Sequence, residues 1–318
     1  MSWSGRILQQ PLRRKSSTPG SCETDLLCVR WALILLLTAA VFVVPDVSPC
    51  HAHGKPSTDI SRGPDVLDTG SAPDISHTAP DISDTGSSAI SNISAADLSA
   101  AVAAGGVSDV GVAVMDLESD QVVSEQGDRP FYSASLSKLI LAVDALQQPL
   151  SDDDQDLIHR ALSASDDNAM DVLWTRFDGM DAIGRVAAEA GLTGTRAPDD
   201  PSQWGEVVIT ANDMVRLYHY ILSSPVHDQI VAALSSAPPK AADGFDQAFG
   251  LLGVTGAYAK QGWMYYLPSD VYLHSAGVLG NRYAVAVLTT NPTGSWTTAR
   301  QSINAVTRAV LAKLGVNG

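Results

Sequence analysis

The hydrophobic and polar positions divide the chain into three sections. The first contains an unbroken apolar run from Trp31 to Val44, which Pro45 ends. The second, residues 53–94, contains no aromatic residue. In the third, residues 95–318, apolar residues recur with the periods of helices and strands. We therefore predict a leader over 1–52, an extended linker over 53–94 and one folded body over 95–318.

The body shows an order of elements that predicts its fold class. A short helix at 95–104 and strands at 107–115 and 121–124 open it. Six helices follow, at 135–148, 153–163, 167–177, 179–190, 211–223 and 226–236. The last elements are strands at 254–264, 271–278 and 282–290 and a helix at 295–314. This order predicts an α+β (α/β/α) fold, with one antiparallel sheet built from both ends of the domain, flanked by helices, beside an all-helical subdomain. We expect a functional site in the cleft between the two parts.

The apolar run is typical of an export signal. Five basic residues precede it, and its fourteen residues would span only ~21 Å as a helix, less than the ~30 Å hydrocarbon core. A secretory signal peptide is the favoured interpretation, with Ala52 as a candidate but late cleavage site, and a retained signal anchor is the alternative. Cys50 leaves a lipoprotein open as a third interpretation, although Pro49 stands where a small residue is expected. In each case the basic flank directs the body outside the cytoplasm.

The linker contains a degenerate repeat at 64–70, 72–78 and 79–86, with Pro in each unit. Such a segment buries too little apolar surface to offset the entropy of ordering it. We expect a disordered, extended tether.

Composition excludes several classes of function. The net charge of −15 excludes nucleic acid as a partner, because nucleic acid requires a basic surface. All three cysteines precede residue 51, which excludes a disulfide framework, a cysteine nucleophile and a thiolate zinc site in the body. The histidines of the body lack metal-ligand spacing, and no glycine-rich nucleotide loop follows a strand. We expect no metal, no cofactor and a monomer.

Ser135 and Lys138 form the first candidate catalytic pair. Three residues apart, they share one face of a helix that begins near Ala134. A lysine that loses its solvent favours the neutral amine and can accept the serine proton. The free N–H groups of the helix start can stabilise an oxyanion. The pattern Ser-x-x-Lys alone is also typical of a capped, exposed helix start.

Two further elements follow in order. Ser165-Asp166-Asp167 precedes a helix, and Lys260-Gln261-Gly262-Trp263 lies on a strand. With Ser135-x-x-Lys138, they resemble the three active-site elements of the class A β-lactamases and penicillin-binding proteins: Ser-x-x-Lys, Ser-Asp-Asn and Lys-Thr-Gly. The resemblance runs from about residue 95 to 318.

The resemblance implies a role for each matching residue. Ser135 would be the nucleophile and Lys138 its base. Ser165 would relay a proton to the leaving group, and Lys260 would hold the substrate carboxylate. Asp167, Gln261, Gly262 and Trp263 would bind substrate, with the N–H groups of Ser135 and Trp263 as the oxyanion hole.

Three departures from the family pattern affect the expected activity. Asp167 replaces Asn, and an ionised Asp cannot donate to a substrate carbonyl. Gln261 replaces Thr but keeps a donor for the substrate carboxylate. The family's Glu-x-x-Leu-Asn loop, whose glutamate drives deacylation, is missing, since Glu206 lacks the Leu-Asn that should follow. We expect acylation to proceed and deacylation to be slow.

Two functions remain open from the sequence. The first is an exported serine hydrolase that forms an acyl-enzyme with β-lactams or with D-alanyl peptides of peptidoglycan. The second is a catalytically inactive, membrane-tethered module that binds the cell wall or a partner. An uncleaved leader would make the membrane a further partner.

Overall fold

The computed structural model describes residues 93–106 and 108–316, so the predicted leader and the linker up to residue 92 lie outside it. Ile93, the first described residue, is already buried in a hydrophobic core. Over the described range, a membrane-spanning helix is not found.

One antiparallel sheet joins the two ends of the body. Its strands are β1 (Asp109–Asp116), β2 (Val122–Glu125), β5 (Ala257–Tyr266), β6 (Asp270–Leu279) and β7 (Tyr283–Asn291). Their order is β2-β1-β7-β6-β5, so the first hairpin pairs with the last strand and β5 is an edge. A separate ladder pairs β3 (Phe131–Tyr132) with β4 (Val208–Ile209). The predicted α+β fold is confirmed. The two-residue strands β3 and β4 were not predicted, because strands of this length are too short to show a period.

Helices cover both faces of the sheet. The terminal helices α1 (Ala95–Ala103) and α8 (Trp296–Lys313) pack together on one face. The other face meets α6 (Ala211–Ser223). The remaining helices are α2 (Ser137–Ala145), α3 (Asp152–Ser163), α4 (Asp167–Arg176), α5 (Gly179–Glu189) and α7 (His227–Ser235). The alternation along β7 explains the layers: Val285 and Val287 join the core under α1 and α8, whereas Ala284 and Ala286 join the core of the helical part.

The helix α2 lies at the centre of the helical part. All nine of its residues are buried, which is expected of a helix that is surrounded on every side. It is shorter than predicted (135–148), because Ala134–Leu136 forms a separate 3-10 turn and the helix ends at Ala145.

Candidate active site

The chain enters α2 through a strained turn that carries Ser135. Ala134 adopts a φ of 47°, a left-handed conformation that costs a residue with a side chain about 1–3 kcal/mol. Ser135 follows it and is 4% exposed. Since Ser135 lies in the first turn, no earlier helical carbonyl can accept its N–H. The fold therefore holds one serine and its backbone donor at a helix start.

Lys138 is fully buried and lies between three groups. Its Nζ is 2.7 Å from Ser135 Oγ, 2.7 Å from Asp167 Oδ1 and 4.3 Å from the ring centre of Trp204. Burial lowers the pKa of Lys138, and the Asp167 carboxylate opposes that shift without cancelling it. Burial thus favours the neutral amine more strongly than Asp167 favours the ammonium.

The second sequence element is held by the start of α4. Ser165 is buried with a φ of 54°, and Asp166 accepts two backbone N–H groups of the first helical turn. This cap places Asp167 in that turn with its carboxylate at Lys138, whereas Asn168 is exposed. The acidic residue, and not the neighbouring amide, therefore faces the candidate base.

Lys260 forms a second buried lysine–serine pair. Its Nζ lies 2.8 Å from Ser165 Oγ and 3.0 Å from the carbonyl of Gln261. Burial lowers the pKa of Lys260 well below its ordinary value, and repulsion by Lys138 adds to this. The two lysine–serine pairs are thus close enough to interact electrostatically.

Gly262 brings the edge strand β5 against the turn that precedes α2. A Cβ at this position would lie 2.8 Å from the carbonyl oxygen of Ser133 and 3.4 Å from the Cβ of Ala134. A larger residue could not be accommodated without moving the strand away from that turn.

The backbone N–H of Trp263 lies on the free edge of β5. The hydroxyl of Tyr218 bridges Lys260 N–H (3.2 Å) and the carbonyl of Ala276 on β6 (2.7 Å), so Lys260 N–H is directed towards β6. Backbone groups alternate along an antiparallel strand, which places the Trp263 N–H on the side away from β6. That edge packs against the turn containing Ser135.

The Gln261 side chain differs from expectation. It is buried, and its Nε2 donates to the carbonyl of Phe249. Its amide donor is therefore engaged in holding the loop before β5 and is not directed at a substrate carboxylate.

The Trp263 indole stacks on Phe245 with centroids 4.8 Å apart, and its Nε1 donates to Asp243 at 3.2 Å.

His274 is a structural residue beneath the site. Its Nδ1 accepts from Thr289 N at 3.1 Å, and its Nε2 lies 2.8 Å from the carbonyl of Tyr132. Burial lowers the pKa of His274 to about 4, so the ring is neutral and its Nε2–H donates to Tyr132. It fixes the backbone three residues before Ser135.

The loop before β4 supplies Trp204, whose importance the sequence did not reveal, and Glu206, which the sequence analysis considered only as a glutamate without the family's Leu-Asn. The 3-10 turn Trp204–Glu206 packs against the turn of Ser135. Trp204 is 3% exposed, covers Lys138 and donates its Nε1–H to Asp171 at 2.9 Å. Glu206 is partly buried, and burial followed by repulsion from Asp200 and Asp199 raises its pKa. Only the position of the loop after the helical middle pointed to this segment.

These groups can perform acyl transfer. A neutral amine beside a serine hydroxyl supplies a base, and two N–H groups at a helix start and a strand edge supply an oxyanion site. The amino group of Lys260 supplies a donor for an anionic group of a substrate. Among residues 93–106 and 108–316, no three His, Cys, Asp or Glu side chains are grouped so that they could hold a metal ion.

The chain is similar to a known protein family and to curated proteins. The model of the β-lactamase enzyme family matches residues 93–154 and 153–314. Proteins named "Putative lipoprotein LppW" in Mycobacterium tuberculosis and Mycobacterium bovis are 31% identical over 218 residues, covering 63% of this chain and 68% of theirs.

Solved structures show the same fold. A β-lactamase from Sphaerobacter thermophilus DSM 20745 aligns with a TM-score of 0.55 at 21% identity, covering 71% of this chain and all of that one. A class A β-lactamase from Mycobacterium abscessus aligns with a TM-score of 0.55 at 16% identity, covering 70% of this chain and all of that one. With the family model matched along most of its length, the chain belongs to the β-lactamase enzyme family of serine hydrolases.

Proposed function

We propose that the domain is a serine acyl-transfer enzyme that forms a long-lived acyl-enzyme through Ser135 with β-lactams or D-alanyl peptides. The observation that carries this proposal is the 2.7 Å contact between the buried Lys138 Nζ and Ser135 Oγ at a helix start. Because burial lowers the pKa of Lys138, the amine can take the hydroxyl proton as the oxygen attacks a carbonyl carbon.

The remaining residues supply the rest of acylation. The N–H groups of Ser135 and Trp263 stabilise the oxyanion of the tetrahedral intermediate. When the carbon–nitrogen bond breaks, the leaving nitrogen takes the hydroxyl proton of Ser165, which lies 2.8 Å from Lys260 Nζ. The proton that Lys138 took from Ser135 then replaces it, so that both Ser165 and Lys138 return to their starting forms. The amino group of Lys260 donates to the substrate carboxylate, whose negative charge favours the ammonium form of this lysine when substrate binds.

Deacylation is slow in this account because of Trp204. Hydrolysis of an acyl-enzyme needs a water molecule and a base beside the ester. The indole of Trp204 covers Lys138 at 4.3 Å, so an apolar ring, and not a carboxylate that could activate water, lies beside this lysine. Glu206, on the same turn, provides no contact to Lys138 in the described residues.

The test is intact-mass analysis after incubation with benzylpenicillin. The protein should gain one covalent acyl group that persists after free penicillin is removed. Ser135→Ala should abolish the adduct. Ser137→Ala is the matched control, because that serine is also buried, two residues further on at the start of α2, and its Oγ donates to the carbonyl of Ala134. An unmodified mass for the wild type after long incubation would contradict the proposal.

A non-catalytic wall-binding or partner-binding module is the second candidate. The ion pair between Lys138 and Asp167 supports it, because a carboxylate at 2.7 Å favours the charged lysine, which cannot act as a base. In that case Ser135→Ala would leave retention on purified peptidoglycan unchanged.

We also propose that the domain works outside the cytoplasm on a lipid anchor. The relatives named as lipoproteins support this, together with the apolar run and Cys50 in the sequence. Cys50→Ser should move the protein from the membrane fraction to the soluble fraction, whereas Cys28→Ser should not. Unchanged membrane association of Cys50→Ser would contradict the anchor.

A further inference from the structure

A cluster of three tyrosines lies beside the candidate active site. Ring centroids of Tyr132 and Tyr266 are 5.2 Å apart, those of Tyr132 and Tyr272 are 5.8 Å apart, and those of Tyr266 and Tyr272 are 6.3 Å apart. Each ring is only partly buried. We call this group the tyrosine cluster.

The tyrosine cluster shares the sheet face that holds the active-site groups. Side chains two apart along a strand point to the same face, so Tyr266 lies on the same side of β5 as Lys260 and Gly262. At ~3.3 Å per residue, its ring stands roughly 13 Å along the strand from Gly262. Tyr132 precedes Ser135 by three residues. The cluster is therefore at the end of the cleft opposite Lys260.

Glu206 lies two residues before Val208, which pairs with Tyr132 of the cluster, and so brings a carboxylate beside these rings. Its charge acts on both Tyr266 and Tyr272, whose pKa values are raised first by burial and then by neighbours that include this carboxylate. Asp199 and Asp200 add to the negative potential on Glu206. Within the described residues, the Glu206 carboxylate has neither an ion-pair nor a hydrogen-bond partner.

A partly buried carboxylate without a cation is unusual, because removing a charge from water costs free energy that a partner normally offsets. The three rings pack against one another in tilted and edge-to-face contacts, and the face of a partly exposed tyrosine ring attracts an ammonium group. The tyrosine rings and the Glu206 carboxylate both favour a cationic ligand at the same place.

We propose that the tyrosine cluster and Glu206 form a subsite for an ammonium group carried on the acyl side of the substrate. Its use in catalysis rests on the proposed acyl-enzyme function, but its binding of an organic cation does not. The substrate class is thereby narrowed to acyl donors with an amine-bearing side chain, such as peptides with a free side-chain amino group.

A matched pair of penicillins tests the subsite during acylation. Ampicillin differs from benzylpenicillin by one amino group, which is an ammonium at neutral pH. We expect the second-order rate of acylation to be about tenfold higher for ampicillin, a size typical of a cation at an aromatic site. Glu206→Gln and Tyr266→Leu should remove the preference. Glu118→Gln should keep it, because that side chain is 70% exposed and pairs with Arg282.

A second measurement does not require acylation. On the Ser135→Ala variant, choline should cause saturable NMR shifts at the tyrosine cluster, whereas its neutral isostere 3,3-dimethylbutan-1-ol should not, and Glu206→Gln should abolish them. Equal acylation rates without choline binding would overturn the subsite and leave the proposed function intact. Choline binding that depends on Glu206 in a protein that no penicillin acylates would support the subsite and contradict the proposed function.

Discussion

The substitution Asp167→Asn should make the domain a faster acylating enzyme. Asp167 Oδ1 lies 2.7 Å from Lys138 Nζ, and the lysine side chain is fully buried. The carboxylate stabilises the ammonium form, which cannot accept the Ser135 proton. An amide of the same shape keeps a hydrogen-bond acceptor for Lys138, removes the charge and adds a donor for a substrate carbonyl.

The size of the effect follows from the separation of the charges. At an effective dielectric of about 20, two unit charges 2.7 Å apart attract by about 6 kcal/mol. The amide dipole and relaxation of the site recover part of this. If only a quarter is lost, about 1.4 kcal/mol, the population of neutral Lys138 rises tenfold. We therefore expect acylation at least tenfold faster at a pH below the pKa of Lys138.

The dependence of the acylation rate on pH shows the direction of the change that Asp167→Asn should cause. Lys138 acts as a base only when it is neutral, so acylation rises with pH through its pKa. Burial already lowers that pKa and Asp167 opposes the shift. Removing the opposing charge lowers the pKa further, and the ascending limb should move to lower pH. Quenched-flow mixing with benzylpenicillin, followed by intact-mass analysis, measures the rate at each pH.

The control is Asp153→Asn, which removes one negative charge from an exposed carboxylate on α3 that pairs with Arg176. This substitution should leave the ascending limb of the pH profile of acylation unchanged. An Asp167→Asn protein that melts like the wild type but acylates more slowly, or whose limb stays in place or moves to higher pH, would refute the reasoning.

Three further substitutions test separate parts of the account. Trp204→Glu should shorten the lifetime of the adduct at least tenfold, because a carboxylate and space for water would replace the indole that covers Lys138. The decay of the adduct after removal of penicillin measures this lifetime. An unchanged lifetime in a folded variant would contradict the prediction. Gly262→Ala should lower the acylation rate and destabilise the fold by about 1–3 kcal/mol, since its Cβ would lie 2.8 Å from the Ser133 carbonyl oxygen; wild-type melting and kinetics would show that the close approach is unnecessary. Asp166→Ala should lower stability by about 1–2 kcal/mol, measured by denaturant unfolding. Burial opposes ionisation of Asp166, but hydrogen bonds from Arg160 and the helix start hold its pKa below the ordinary value. The contribution of Asp166 to stability should therefore be lost as pH falls through this lowered pKa. A difference in stability between Asp166→Ala and the wild type that persists at acidic pH would contradict this assignment.

Much of the fold could be predicted because its elements have clear periods and clear ends. The helix starts at α1, α3 and α8 carry Ser94, Ser151 and Ser295, whose side chains accept a backbone N–H of the first turn. The strands β6 and β7 are rich in apolar residues and are separated by Gly280-Asn281-Arg282. Local sequence was sufficient for these elements.

The arrangement of the candidate site could be predicted only in part. The spacing of Ser135 and Lys138 placed both on one helical face, and the structure brings their side chains into contact. The side-chain direction of Gln261 could not be predicted, because it depends on the carbonyl of Phe249, twelve residues away.

The contact between Trp204 and Lys138 could not be predicted from the sequence either. It joins two segments 66 positions apart through a loop with no helical or strand period. Such a contact follows from the path of the loop over the start of α2, and not from any local pattern. The same path places Glu206 at the tyrosine cluster.

Peptide mapping of the protein after incubation with benzylpenicillin tests the central claim most directly. If Lys138 activates the neighbouring hydroxyl, fragment spectra should place one acyl group on Ser135, and Lys138→Met should carry none. An acyl group on another residue, or equal labelling of Lys138→Met, would contradict the account.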